Sequence, residues 1–128
     1  MLALVLDEPH STKVADLLDQ WAEEDAELHA PLLAQYEVAS SLARKRGRRE
    51  MSSEETNEAL AIIGELPITY DLAPDNARAV AIAVDLQRHS AYDAAYLALA
   101  ERIDGEVWTL DGPLARNAAG RFRVSLID

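Results

Sequence analysis

The sequence predicts an α/β fold in three layers, a mostly parallel sheet flanked by helices, within a single domain spanning residues 1–128. Short β-prone runs alternate with longer segments of helical period, and no repeat, low-complexity tract or linker interrupts the order. Strands separated by helices imply right-handed crossovers, which put helices on both faces of a parallel sheet.

The elements follow in order. Residues 1–6 are a continuous apolar run, too short for periodicity to separate a buried strand from a helical turn. Ser11 is placed to cap a helix in which Val14, Leu17, Leu18 and Trp21 recur at i, i+3, i+4 and i+7. An extended piece at 28–30 leads to Pro31, which suits a first helical turn, and Leu32, Tyr36, Ala39 and Ala43 continue as an apolar stripe that Gly47 ends. Ser52 and Glu55 have the spacing of a capping box; the helix they open turns Ala59, Ile62, Ile63 and Leu66 inward and stops before Pro67. Residues 68–70 read as a strand. Pro74 starts a helix whose buried face is expected to hold Ala77, Val80, Ala81 and Val84. Ser90 caps the next, with Tyr92, Ala95, Tyr96, Leu99 and Ile103 on one side and Gly105 closing it. Residues 106–110 are strand-like, 111–119 form a last helix that Gly120 terminates, and 124–127 form a final strand.

Composition narrows the function. Of 128 residues 49% are hydrophobic, with no cysteine, which excludes disulfides, thiolate catalysis and cysteine-ligated zinc. No segment approaches the ~18 unbroken apolar residues of a membrane span, and no secretory leader pattern is present, so the cytoplasm is the expected compartment. The net charge of -11, from 23 acidic against 12 basic residues, argues against a general nucleic-acid-coating role. The cations are nevertheless concentrated: Arg44, Lys45, Arg46, Arg48 and Arg49 form one cluster, either a local phosphate contact or a solvated helix end favoured by the macrodipole.

In an open parallel sheet, ligands bind beyond the carboxyl ends of the strands, where the helices feeding the strands also begin. Asp111 directly follows the strand at 106–110, Asp93 lies in the first turn of the helix feeding it, and Glu37 lies in an early turn after the strand at 28–30. All three are expected at one rim. Each also has a purely structural reading: Asp93 completes a capping box with Ser90, Asp111 before Gly112 and Pro113 is an N-cap, and Glu37 is a snorkelling surface residue. Carboxylates gathered at one rim repel and raise one another's pKa unless a divalent cation neutralises them. Mg2+ or Mn2+ suits such oxygen donors and can activate water against a phosphodiester. His10, His29 and His89 have no metal-ligand spacing, and a P-loop, a nucleophile elbow and a dinucleotide fingerprint are absent.

The run Tyr92-Asp93-Ala94-Ala95-Tyr96-Leu97-Ala98-Leu99-Ala100, followed by Thr109-Leu110-Asp111-Gly112-Pro113-Leu114-Ala115, resembles the two C-terminal acidic motifs of PIN-domain ribonucleases, specifically VapC-type toxins of toxin-antitoxin pairs. Tyr36-Glu37-Val38-Ala39-Ser40-Ser41-Leu42 is similar to that family's middle acidic motif, and Asp7-Glu8-Pro9-His10-Ser11 to the segment after its first helix. The resemblance implies that Glu37, Asp93 and Asp111 are metal ligands and Thr109 a hydroxyl near the metal. It also implies Mg2+-dependent endonucleolytic cleavage of an RNA substrate, a cognate antitoxin as inhibitor, and a homodimer.

One departure stands out. The family opens with a central strand ending in an aspartate, then a short helix, and the register set by Asp7 to Ser11 aligns residues 2–6 with that helix. The strand and its aspartate then precede Met1, unless residues 2–6 form the strand and Asp7 replaces the ligand; the former is preferred, because it needs no deletion. For the chain taken as complete, a sheet without its middle strand, a site short of one carboxylate, and impaired activity are expected. The alternative function is accordingly a degenerate PIN domain, catalytically impaired, that binds an antitoxin partner. A phosphatase or receiver-like domain is disfavoured, since only Lys13 and Lys45 are available and neither follows a strand.

Overall fold

The structure, a computed structural model, describes residues 11–88 and 91–127. The expectations for residues 1–6, Asp7, His10, His89 and Ser90 lie outside the described residues. The chain divides into two compact units, Met1–Thr69 and Tyr70–Asp128.

In the first unit, helix α1 (Ser11–Glu23) precedes strand β1 (Leu28–Pro31), helix α2 (Leu33–Gly47) and helix α3 (Ser53–Glu65). Val14 is buried on α1, and Leu17, Leu18 and Trp21 are half-buried, as the period predicted. Pro31 ends β1 instead of opening α2, whose N-cap is Leu32 with no side-chain cap. The capping box at α3 is present in full: the Glu55 amide donates to Ser52 Oγ at 3.0 Å, and the Ser52 amide donates to Glu55 Oε1 at 3.0 Å. Leu42 of α2 packs on Ala59 of α3, with Val38 and Met51 alongside.

The stripe expected to bury α2 faces solvent: Leu32, Tyr36, Ala39 and Ala43 are exposed, and the buried side runs through Val38 and Leu42. On α3, Ala59 and the half-buried Ile63 and Leu66 follow expectation, whereas Ile62 is exposed. Strand β2 (Ile68–Asp71) pairs with β1.

The second unit contains helices α4 (Asn76–Asp85) and α5 (Tyr92–Arg102), strand β3 (Val107–Thr109), helix α6 (Gly112–Ala118) and strand β4 (Val124–Leu126). Strands β3 and β4 run parallel, with Val107 opposite Val124 and Thr109 opposite Leu126. A contiguous core joins Ala79, Ile82, Ala83 and Leu86 of the α4 segment to Ala94, Leu97 and Ala98 of α5, with Val107, Leu114 and Ala118 below them. Ile82 and Leu97 are its largest fully buried side chains. Cutting either back to alanine should cost about 2–5 kcal/mol.

This core corrects two expected faces. Val80 and Val84 of α4 are 57% and 68% exposed, and Ala77 and Ala81 are exposed with them. The sequence of α4 is apolar nearly all round, so two stripes satisfy the same spacing, and packing on α5 selects the one through Ala79, Ile82, Ala83 and Leu86. On α5, Tyr92 and Ile103 are exposed, while Ala94, Leu97, Ala98 and Leu99 are buried.

The helix stops also differ from those expected. Gly47 lies within α2, and the left-handed residues that end α1, α2, α4 and α5 are Asp25, Arg49, Gln87 and Asp104, with φ of 53°, 59°, 55° and 55°. At each of these ends the following amide reaches back five residues, to Trp21, Lys45, Ala83 and Ala100, which is the Schellman closure. Gly105 therefore sits one residue beyond the left-handed position. Gly120, at φ 89°, does take it after α6, as predicted.

The class is α/β, with helices flanking parallel strands. Among the described residues the strands form two pairs, β1–β2 and β3–β4. The expectation of a central strand, before Met1 or on residues 2–6, lies outside the described residues. No helix among the described residues is long and apolar enough to cross a membrane.

Candidate functional site

The C-terminal end of α4 sets one side of the site. Its last carbonyls have no partner inside the helix. Asn117 Nδ2 donates to the Leu86 carbonyl at 2.9 Å, and Arg121 Nη1 donates to the Asp85 carbonyl at 3.2 Å. The Schellman closure then fixes the next backbone amide, Arg88, on the Ala83 carbonyl at 2.9 Å. With Leu86 buried beneath it, Arg88 projects from an anchored backbone.

Its guanidinium meets two carboxylates. Arg88 Nη2 donates to Asp93 Oδ2 and lies 3.8 Å from Asp111 Oδ2. The Arg88 side chain is 22% exposed, against 39% for Asp93 and 44% for Asp111. The hydrogen bond that Arg88 donates to Asp93, then the charges of Asp93 and Asp111, raise the Arg88 pKa further above its ordinary value, outweighing the opposing effect of desolvation. One guanidinium against two carboxylates leaves the rim negative.

Asp93 enters in the first turn of α5, where the helix dipole favours an anion. The N-cap there is Ala91, with no side-chain cap; the Ser90 half of the expected capping box is outside the described residues. Asp111 enters from the turn between β3 and α6. Its Oδ1 accepts from the Leu114 amide at 3.0 Å, which makes it the N-cap predicted from sequence, and its Oδ2 faces Arg88. The structural and chemical readings of Asp111 thus hold together, one oxygen each. Thr109 supports the turn: its Oγ1 accepts from the Asp111 amide at 3.0 Å, and its carbonyl accepts from the Ile127 amide at 2.7 Å.

Glu37 is exposed on α2 in the first unit. The basic cluster Arg44, Lys45, Arg46, Arg48 and Arg49 occupies the C-terminal end of the same helix, with all its members exposed except the half-buried Lys45. His29 Nε2 lies 3.2 Å from Glu27 on the first unit's surface. Among the described residues no three His, Cys, Asp or Glu side chains cluster closely enough to hold a metal ion.

The family model of the PIN domain matches residues 1–120. The chain belongs to the PIN domain family. PIN domains are generally nucleases, hydrolases of phosphodiester bonds that use divalent metal ions, and the match spans both compact units of this chain. No curated protein matches it.

The carboxylates of this PIN domain suit such an ion by the chemistry of their donors. Mg2+ is commonly held by one or two carboxylates, with waters and substrate phosphate oxygens completing its shell. Asp93 and Asp111 present two oxygens to a single point, now taken by a nitrogen of Arg88. Sequence reasoning anticipated that Asp93 and Asp111 lie near each other and did not anticipate the arginine between them. The available signal was an arginine five residues before Asp93, in the short connection between two helices.

Proposed function

We propose that this PIN domain is a metal-dependent endoribonuclease, the VapC-type toxin of a toxin-antitoxin pair, acting on RNA in the cytoplasm. The observation that carries the reading is the meeting of Asp93 and Asp111 at one cationic point on the carboxyl side of β3. Asp93 and Asp111 are the proposed ligands of Mg2+ or Mn2+. The bound ion would polarise a water and offset the charge that develops on the phosphodiester. Thr109 holds the turn that aims Asp111, and its hydroxyl lies at the edge of the site. The exposed arginines at the end of α2 supply a surface for the RNA backbone through charge alone. A cognate antitoxin and a second copy of the chain are the proposed partners.

The test is cleavage of a structured RNA with Mn2+ present. Cleavage lost in Asp93→Asn and in Asp111→Asn supports the reading; cleavage that persists in both removes these residues from the mechanism. A second reading, an impaired PIN domain retained as an antitoxin-binding module, is favoured by one observation: Arg88 already neutralises part of the carboxylate charge. That reading predicts antitoxin binding without cleavage at any Mn2+ concentration.

A further inference from the structure

We propose that Arg88 is a built-in competitor of the divalent cation, so that metal loading and the Arg88 ion pairs exclude one another. The inference rests on the metal-dependent reading above and adds a residue that the acidic motifs do not contain. Three observations carry it.

The same nitrogen, Arg88 Nη2, serves both carboxylates, hydrogen-bonded to Asp93 Oδ2 and 3.8 Å from Asp111 Oδ2. An ion ligated by both of those oxygens needs the space this nitrogen fills, because carboxylate-to-Mg2+ distances are only about 2.0–2.1 Å. The guanidinium is also a fixed charge, since arginine does not lose its proton in proteins, so displacement is the route by which it yields.

The backbone that carries Arg88 does not have to move. Its amide is bound to the Ala83 carbonyl, and the preceding turn is pinned by Asn117 and Arg121. The side chain alone, partly open to solvent, swings away from the rim. Asp111, by contrast, is tied at Oδ1 to the Leu114 amide, and Asp93 is fixed in the first turn of α5. Asp111 thus keeps a tether of its own when the arginine leaves.

Arg88 therefore sets a threshold. It offsets part of the rim's negative charge while the metal is scarce, which eases the repulsion between Asp93 and Asp111. It weakens metal affinity by the free energy of its own charge-assisted contacts.

Mn2+ binding to the full chain, followed by electron paramagnetic resonance of the free ion, tests this directly. Arg88→Met keeps an unbranched apolar stem and removes the charge, and should bind Mn2+ about tenfold more tightly than the wild type. Adding Asp93→Asn to Arg88→Met should cancel the gain. Equal or weaker binding by Arg88→Met overturns the competition and leaves the metal-dependent reading standing. Failure of both proteins to bind Mn2+ at millimolar concentration overturns both.

A wild-type measurement covers the case in which Arg88→Met fails to fold. Titration with Mg2+, read by the 15N resonances of arginine side chains, should release the Arg88 guanidinium into free rotation as the Asp93 and Asp111 amides shift. Amides that shift while the Arg88 signals stay fixed overturn the proposal.

Discussion

The C-terminal ends of α2 and α4 are built on one backbone plan and carry opposite electrostatics. Both close with a Schellman bond, Glu50 to Lys45 and Arg88 to Ala83, and both use a non-glycine residue in the left-handed position. At α2 the arginines face water, with the helix dipole favouring them. At α4 the chain turns into α5, and its one arginine is drawn onto two carboxylates. What differs is the next element, not the cap. An arginine after a helix is a displayed charge or a counter-ion according to what the following residues fold back to offer it.

The sharpest way to break that contrast is through the carboxylates. Asp93→Asn should reduce Mn2+-dependent RNA cleavage by at least about 100-fold, as loss of a preorganised electrostatic contact does. Neutralising the α2 end should act differently. Arg46→Gln, Arg48→Gln and Arg49→Gln combined should weaken RNA binding and flatten its salt dependence by up to about 2 in the slope of log affinity against log salt. A change in turnover with an unchanged salt slope would place that end in the chemistry instead.

The capping and charge roles of Asp111 separate next. Asn caps a helix about as well as Asp, so Asp111→Asn should keep stability in urea unfolding, while Asp111→Ala should lose about 1 kcal/mol. Equal losses would show that the charge, and not the cap, holds the turn.

The expected pH effect is smaller. Arg78 donates to both oxygens of Glu101, at 2.7 and 2.8 Å, and holds its pKa below the ordinary 4.5. Arg102 Nη2, 2.7 Å from Asp71 Oδ2, likewise lowers the Asp71 pKa from its ordinary 3.8. Because both folded values are depressed, their stabilisation is present above those ordinary values and is lost as pH falls through the folded ones. The melting temperature should therefore drop below about pH 4 in the wild type, and less so in Glu101→Gln.

The smallest effect compares the two caps themselves. Arg49→Gly and Gln87→Gly each remove a Cβ from a left-handed residue and should each stabilise by about 0.5 kcal/mol. Unequal gains would mean the two ends are not the same device.

What the sequence made legible tracks how local the cause is. The Ser52–Glu55 box and the Asp111 cap were readable because each is a contact across three residues. The buried side of α1 was readable because only one of its faces is apolar. The faces of α2, α4 and α5 were not, because alanine-rich helices satisfy the helical period on more than one side and tertiary packing chooses among them. The nearness of Asp93 to Asp111 was legible from their places at the start of one helix and the end of one strand. Arg88 was not, since its role depends on a left-handed turn at Gln87 that no glycine announces.

Asp111 gives the molecule an internal reporter. The carboxylate that faces the charged centre through one oxygen secures a backbone proton, on Leu114, through the other. Any occupant that pulls on Asp111 must tighten or loosen that bond. The exchange rate of a single amide at the start of α6 then reports, without label or substrate, a change in what Asp111 faces.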